Sequence, residues 1–139
     1  MATERYQQGF DKMMEYQPTG DFNVSTHLKI ADDLKDIAPD VPRYIIEFAF
    51  GDIYARPGLT KKQQTLVTIC SLVTLGTERE IDLHIHTGLT VGLSKEEIIA
   101  AIIHLIPYVG FPRVLNALYV LKHVLAQRND GDARETPAA

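Results

Sequence analysis

Apolar residues recur along this chain at intervals of three and four, and the runs break at glycine or proline. That spacing marks amphipathic helices, whereas the period-two alternation of half-buried strands is scarce, so the pattern predicts an all-helical protein. The first run, Thr3 to Tyr16, lines up Tyr6, Phe10, Met13 and Met14 and stops at Pro18 and Gly20. Ser25 or Thr26 opens a second, with Leu28, Ala31, Leu34 and Ile37 as its apolar stripe and Pro39 as its stop. Pro42 suits a first helical turn, where its missing N–H costs nothing. The helix behind it is expected to bury Ile45, Phe48, Ala49 and Ile53 before Pro57-Gly58 ends it.

Thr60 with Gln63, and Ser94 with Glu97, have the spacing of capping boxes, in which side chain and backbone satisfy each other at a helix start. The first box opens a helix with Leu66, Ile69, Cys70 and Val73 inward and Gly76 as a left-handed stop. The second opens the most apolar helix, Glu96 to about Tyr108, and between them lies a helix from about Arg79 to Val91. A last helix, from Pro112 or Arg113, carries Leu115, Leu118, Leu121 and Leu125, and residues 129–139 read as a flexible polar tail. The result is roughly six helices in one domain, residues 1–128. Ile98, Ile99, Ile102, Ile103 and Ile106 make one helix apolar over much of its girth. In a small chain without tryptophan, that predicts a homo-oligomer.

Composition narrows the class. A hydrophobic share of 45% and a charged share of 23% are ordinary for a soluble globular protein. A net charge of −4, with no basic run, argues against nucleic-acid binding. No apolar run approaches the ~20 residues that span a bilayer, and the opening M-A-T-E-R-Y has no apolar signal core, so a cytoplasmic protein is expected. Cys70 is the sole cysteine, which excludes an internal disulfide and any C-x-x-C motif. It falls on a buried stripe, with no cation nearby in sequence to favour its thiolate.

Candidate chemistry concentrates in Glu80 to Leu89, read E-I-D-L-H-I-H-T-G-L. Glu80 and His84 are four apart and share one helix face, while His86 stands about 200° round from His84. The plainer reading is a structural Glu80–His84 hydrogen bond at the core edge. The functional one is a general acid/base whose pKa Glu80 raises. His104 and Tyr108 repeat the spacing, either as a surface or interface pair or as a donor to a substrate oxygen across a cleft from His84. Arg56 is either an ion-pair partner for Asp52 or a carboxylate clamp. His84 and His86 diverge, and Asp82 with His86 lacks a third ligand, so no metal site is expected.

Phe50-Gly51-Asp52-Ile53-Tyr54 to Leu59, Glu80-Ile81-Asp82-Leu83-His84, Gly88-Leu89, Gly92 and Glu97-Ile98 together resemble the carboxymuconolactone decarboxylase family. His104, Tyr108, Gly110-Phe111-Pro112 and Asn116-Ala117-Leu118 continue the likeness, which covers about residues 40 to 120 and the Arg5-Tyr6 to Gly9 opening. The resemblance implies an all-helical trimer or hexamer with active sites near subunit contacts, no metal and no cofactor. It implies loss of CO₂ from a small unsaturated lactone or carboxylic acid in aromatic breakdown. His84 would be the acid, Glu80 its orienter and Arg56 the carboxylate holder. Many relatives carry Arg-Glu-Leu where this chain has Gln64-Thr65-Leu66, which makes Gln64 a substrate-side position and weakens the case for carboxymuconolactone itself. A catalytically idle binding or assembly protein on the same scaffold is the alternative. The wider alkylhydroperoxidase D-like superfamily includes thiol peroxidases. Their two cysteines would fall at Thr77 and Glu80 and their relay glutamate at Thr65, so peroxidase chemistry ranks third.

Overall fold

Side-chain oxygens start four of the helices by accepting from a backbone N–H that the helix itself leaves unpaired. In the computed structural model, which describes residues 2–18 and 26–135, these caps are Thr3, Thr26, Thr60 and Ser94. The Thr60–Gln63 and Ser94–Glu97 boxes are both closed reciprocally. The helices are α1 (Glu4–Met14), α2 (His27–Leu34), α3 (Val41–Arg43), a π-helix (Tyr44–Tyr54), α4 (Lys61–Leu75) and α5 (Glu78–Thr90). They continue as α6 (Lys95–His104), α7 (Ile106–Val109) and α8 (Phe111–Glu135), and the described residues contain no strand. The predicted all-α class is therefore observed. The expected stop at Gly20, start at Ser25 and end of the tail at 136–139 lie outside the described residues.

Two apolar cores divide the chain. Ile69 and Val73 of α4, Ile81 and Ile85 of α5, Ile98 and Ile102 of α6 and Val114 and Ala117 of α8 form the larger. Met13, Tyr16, Ile46 and Phe50 form the smaller, between α1 and the π-helix, with Val91 packed against it from the end of α5. Helix α5 takes part in the larger core and its end reaches the smaller, so its outer face stands at the seam between the cores.

Four expectations shift. The π-helix buries Ile46, Glu47 and Phe50, while Phe48 and Ile53 are exposed. Its i→i+5 bonding widens the turn and rotates the face that an α-helical count assigns inward. Glu47 is tolerated there because Thr3 donates to it and Arg5 and Arg43 lie 3.6 and 3.8 Å away. Helix α6 stops at His104 rather than Tyr108, since Pro107 has no N–H for the next bond. The buried stripe of α8 is Val114, Ala117, Leu121 and Val124, so Leu115 is outside. Ile37 is also exposed, beyond the end of α2. Gly76 closes α4 at φ 77°, as its position implies, and Arg113 donates to the last carbonyl at Leu75.

Candidate functional site

Helix α5 is buried almost without interruption from Ile81 to Gly88, so both of its histidines are taken out of water. The predicted divergence of the two rings is what the structure has. His86 faces α8, where Arg128 Nε donates to its Nδ1 at 3.1 Å and Gln127 Oε1 lies 3.0 Å from its Nε2. A guanidinium can only donate, so His86 is neutral with its hydrogen on Nε2. Asp82, spaced four residues away, stands 3.9 Å off.

His84 faces the seam. Its ring meets the ring of His27, on α2, edge-on with centroids 5.1 Å apart and planes at 75°. Both are buried, at 8% and 9% exposure, and the Nδ1 atom of each has no hydrogen-bond partner among the described residues. Burial lowers the His84 pKa to about 4. Burial first, and repulsion from His84 second, lowers that of His27 to about 3. Two neutral imidazoles therefore share this apolar spot at neutral pH. Glu80 is half-buried and makes neither a hydrogen bond nor an ion pair with His84, so the expected upward shift is replaced by a downward one from desolvation.

An aromatic cluster joins this pair to a cleft. Phe50 packs against His27 at 4.9 Å, Tyr54 at 4.6 Å and Tyr16 at 5.8 Å. The Tyr16 hydroxyl donates to Gln64 Oε1, and Gln64 Nε2 donates to the Tyr54 carbonyl at 2.9 Å. Burial pushes the Tyr16 phenol up to about 12, with Glu15 and Tyr54 adding to the shift, so it stays a neutral donor. Tyr54, Gln64 and Thr68 then form one wall of a cleft of about 220 Å³, closed by Arg56, Pro57 and the apolar side chains of Ile53, Leu59 and Val67.

The predicted residues thus divide into three places. Arg56 and Gln64 share the cleft. The Gln64 oxygen is already used, which leaves one amide N–H for a ligand. His84, with Glu80 on its helix, belongs to the buried pair beyond the aromatic wall. His104 and Tyr108 touch each other at 5.7 Å but are exposed across the α6–α7 break and line neither place. Cys70 is half-buried and burial pushes its thiol up, in keeping with a packing role. No group of three or more metal-ligating side chains gathers among the described residues. His27 and Tyr16 escape a sequence reading: one directly follows a cap and the other lies just past the end of α1, so neither sits on a helix face where spacing would single it out.

An all-helical subunit with an imidazole of α5 buried at the seam of two cores is the class that fold and site define. The chain belongs to the carboxymuconolactone decarboxylase family, whose pattern matches residues 39–123. It is 32% identical over 121 residues, 87% of each chain, to a 4-carboxymuconolactone decarboxylase of Acinetobacter baylyi. It is 29% identical over 93 residues, 67% of this chain and 65% of the other, to the nitrosuccinic acid decarboxylase npaB of Metarhizium robertsii. A third relative, 24% identical over 132 residues, is an uncharacterised 15.0 kDa protein of Paracoccus denitrificans, with 92% of this chain and 98% of that one covered. Among the described residues no helix is long and apolar enough to cross a membrane.

Proposed function

We propose that this protein is a decarboxylase that needs no metal or cofactor, acting on a small carboxylic acid or unsaturated lactone, as in aromatic breakdown. Two of its relatives are named as decarboxylases of different acids, which supports the reaction class and leaves the substrate to the site. The carrying observation is a buried, neutral His84 in one aromatic cluster with a cleft that bears a guanidinium.

Loss of CO₂ breaks a C–C bond, moves its electron pair into a conjugated acceptor, and ends when a proton takes the place of CO₂. A neutral imidazole N–H can hydrogen-bond the acceptor oxygen where charge develops, without itself being charged. An apolar surround favours the step, because a carboxylate loses hydration on entry and its charge spreads as CO₂ departs. Arg56 at the cleft would hold a second carboxylate, with the free Gln64 N–H beside it. Glu80 acts, on this reading, through the helix it shares with His84 rather than by direct contact. His104 and Tyr108 would reach substrate only from a neighbouring subunit.

Assembly as a homo-trimer or homo-hexamer is part of the proposal. Phe111, Leu115 and Tyr119 form an exposed apolar row at four-residue spacing on α8, 61%, 49% and 72% accessible, which a second copy of the chain would cover. A cytoplasmic location is proposed with it. The competing reading, an idle scaffold, is favoured by the Gln64 oxygen being locked by Tyr16. A thiol peroxidase is the weakest reading, since Thr77 and Glu80 stand where the paired cysteines would be.

Incubation with 4-carboxymuconolactone and with nitrosuccinate, following CO₂, tests the reading. Release from either acid is expected, with Arg56→Ala raising KM far more than it lowers kcat. Absence of release from both acids and from a wider set of unsaturated acids would leave the idle scaffold.

A further inference from the structure

We propose that His27 and His84 act as one proton-holding unit, which takes up a single proton when a carboxylate binds against it and delivers that proton to the decarboxylated carbon. The proposal rests on the decarboxylase reading for its second half only. It also assigns a working role to α2, which lies outside the matched span of 39–123.

Geometry carries the argument. The two rings meet at 5.1 Å with no residue between them, and each is nine-tenths buried. Each Nδ1 is out of solvent and without a partner among the described residues. A buried, unpaired ring nitrogen is costly, and one on each of two touching rings points to a ligand oxygen that serves them. Phe50 packs edge-on to His27 and supplies no polar group. Among the described residues, the ionisable group that acts on His27 is His84, and no charge acts on His84. Charges on the same elements are Glu78, Arg79, Glu80 and Asp82 on α5 and Lys29, Asp32 and Asp33 on α2. Asp82 lies toward His86, while Lys29 is bonded to Asp33 and Asp32 to Lys35 in exposed pairs.

The unit therefore holds no positive charge of its own at neutral pH, and the first charge it accepts discourages a second. A carboxylate entering this site brings a negative charge into a region of low polarity, which favours protonation of one imidazole. The proton comes from solvent. In the reaction the C–CO₂ bond breaks, its electron pair enters the conjugated acceptor, and the N–H proton passes to carbon. CO₂ leaves and both rings return to neutral, so each turnover consumes one proton. His27 is here a catalytic residue, because either ring of the pair can bear the proton that passes to the substrate carbon.

The test uses the full chain with acetate, succinate and muconolactone, acids that bear a carboxylate and no ready leaving CO₂. Calorimetry in buffers of differing ionisation enthalpy counts protons taken up on binding, and ¹⁵N-histidine NMR identifies the ring that receives them. Uptake approaching one proton per chain near neutral pH, on His27 or His84, is expected with at least one acid. His27→Asn and His84→Asn should each abolish it. For an acid that is turned over, each should lower kcat by about 100-fold and shift its pH profile. Binding without proton uptake, uptake at His86 alone, or no binding of any of the three acids overturns the proposal. If no acid is decarboxylated yet uptake at the pair occurs, the decarboxylase reading fails and the proton-coupled carboxylate site stands. If CO₂ is released equally by wild type and His27→Asn with unchanged pH profiles, the paired role fails and the decarboxylase reading stands. The NMR count on the wild-type protein decides the matter even if a variant does not fold.

Discussion

Acidification should destabilise this fold through its buried histidines well before its carboxylates are protonated. In the unfolded chain an imidazole titrates near 6.5, whereas His84 and His27 in the fold stay neutral down to about 4 and about 3. Between those limits the unfolded state binds more protons than the folded one, so stability falls as pH falls and is regained as pH rises. At about pH 5 each unfolded imidazole is almost fully charged while its folded counterpart is not, which costs about 2 kcal/mol per ring relative to about pH 7. The pair together costs about 4 kcal/mol, against a typical domain stability of about 5–15 kcal/mol. His86, also lowered mainly by burial, adds in the same direction. Urea denaturation at fixed protein concentration, read at both pH values, measures the loss. The His27→Asn/His84→Asn double variant should lose most of the pH dependence. A wild-type midpoint that stays constant between the two pH values, or a double variant that falls in parallel with it, refutes the assignment of both rings as buried and neutral.

Other perturbations follow from single contacts. A Cβ at Gly9 would sit 1.9 Å from the Ile46 carbonyl oxygen, so Gly9→Ala should cost about 2–3 kcal/mol despite the better helix propensity of alanine; an unchanged urea midpoint contradicts the close packing of α1 on the π-helix. Arg128→Met removes donors to His86 Nδ1, the His86 carbonyl and Thr90 Oγ1 and should cost about 2–3 kcal/mol. In hydrogen exchange α5 and α8 should then open together, and loss of protection in neither would count against this clasp. The proposed assembly predicts that Phe111→Glu with Tyr119→Glu lowers the mass found by light scattering; a wild type of monomer mass, or a mass unchanged in the variant, contradicts an interface on this row.

Capped helix starts and the Gly76 stop were legible because they depend on local chemistry: Thr60–Gln63, Ser94–Glu97 and Gly76 act within one turn of themselves, whereas the end of α6 at His104 was not. Which face of a helix is buried depends on its winding and neighbours, so the π-helix turned Phe48 and Ile53 outward against an α-helical count. The same holds for the site. Spacing alone separated His84 from His86, since the angle between them is fixed by helix geometry. It suggested Glu80 as the partner of His84, yet being on one face does not bring two side chains into contact. The ring that His84 does meet comes from α2, 57 positions earlier in sequence (84 − 27), and no local pattern encodes that approach. Arg56 and Gln64 met in one cleft because Arg56 lies in the short connection after the π-helix and Gln64 in the first turn of α4 that follows it.

Mass spectrometry of an accepted acid turned over in D₂O tests the central claim most directly. A decarboxylase replaces CO₂ with a proton from solvent, so the product should be lighter by CO₂ and carry one deuterium at the carbon that lost it. Deuterium entering an acid that keeps its CO₂ would mean isomerisation or proton exchange. Recovery of every acid tested unchanged and undeuterated would contradict the account.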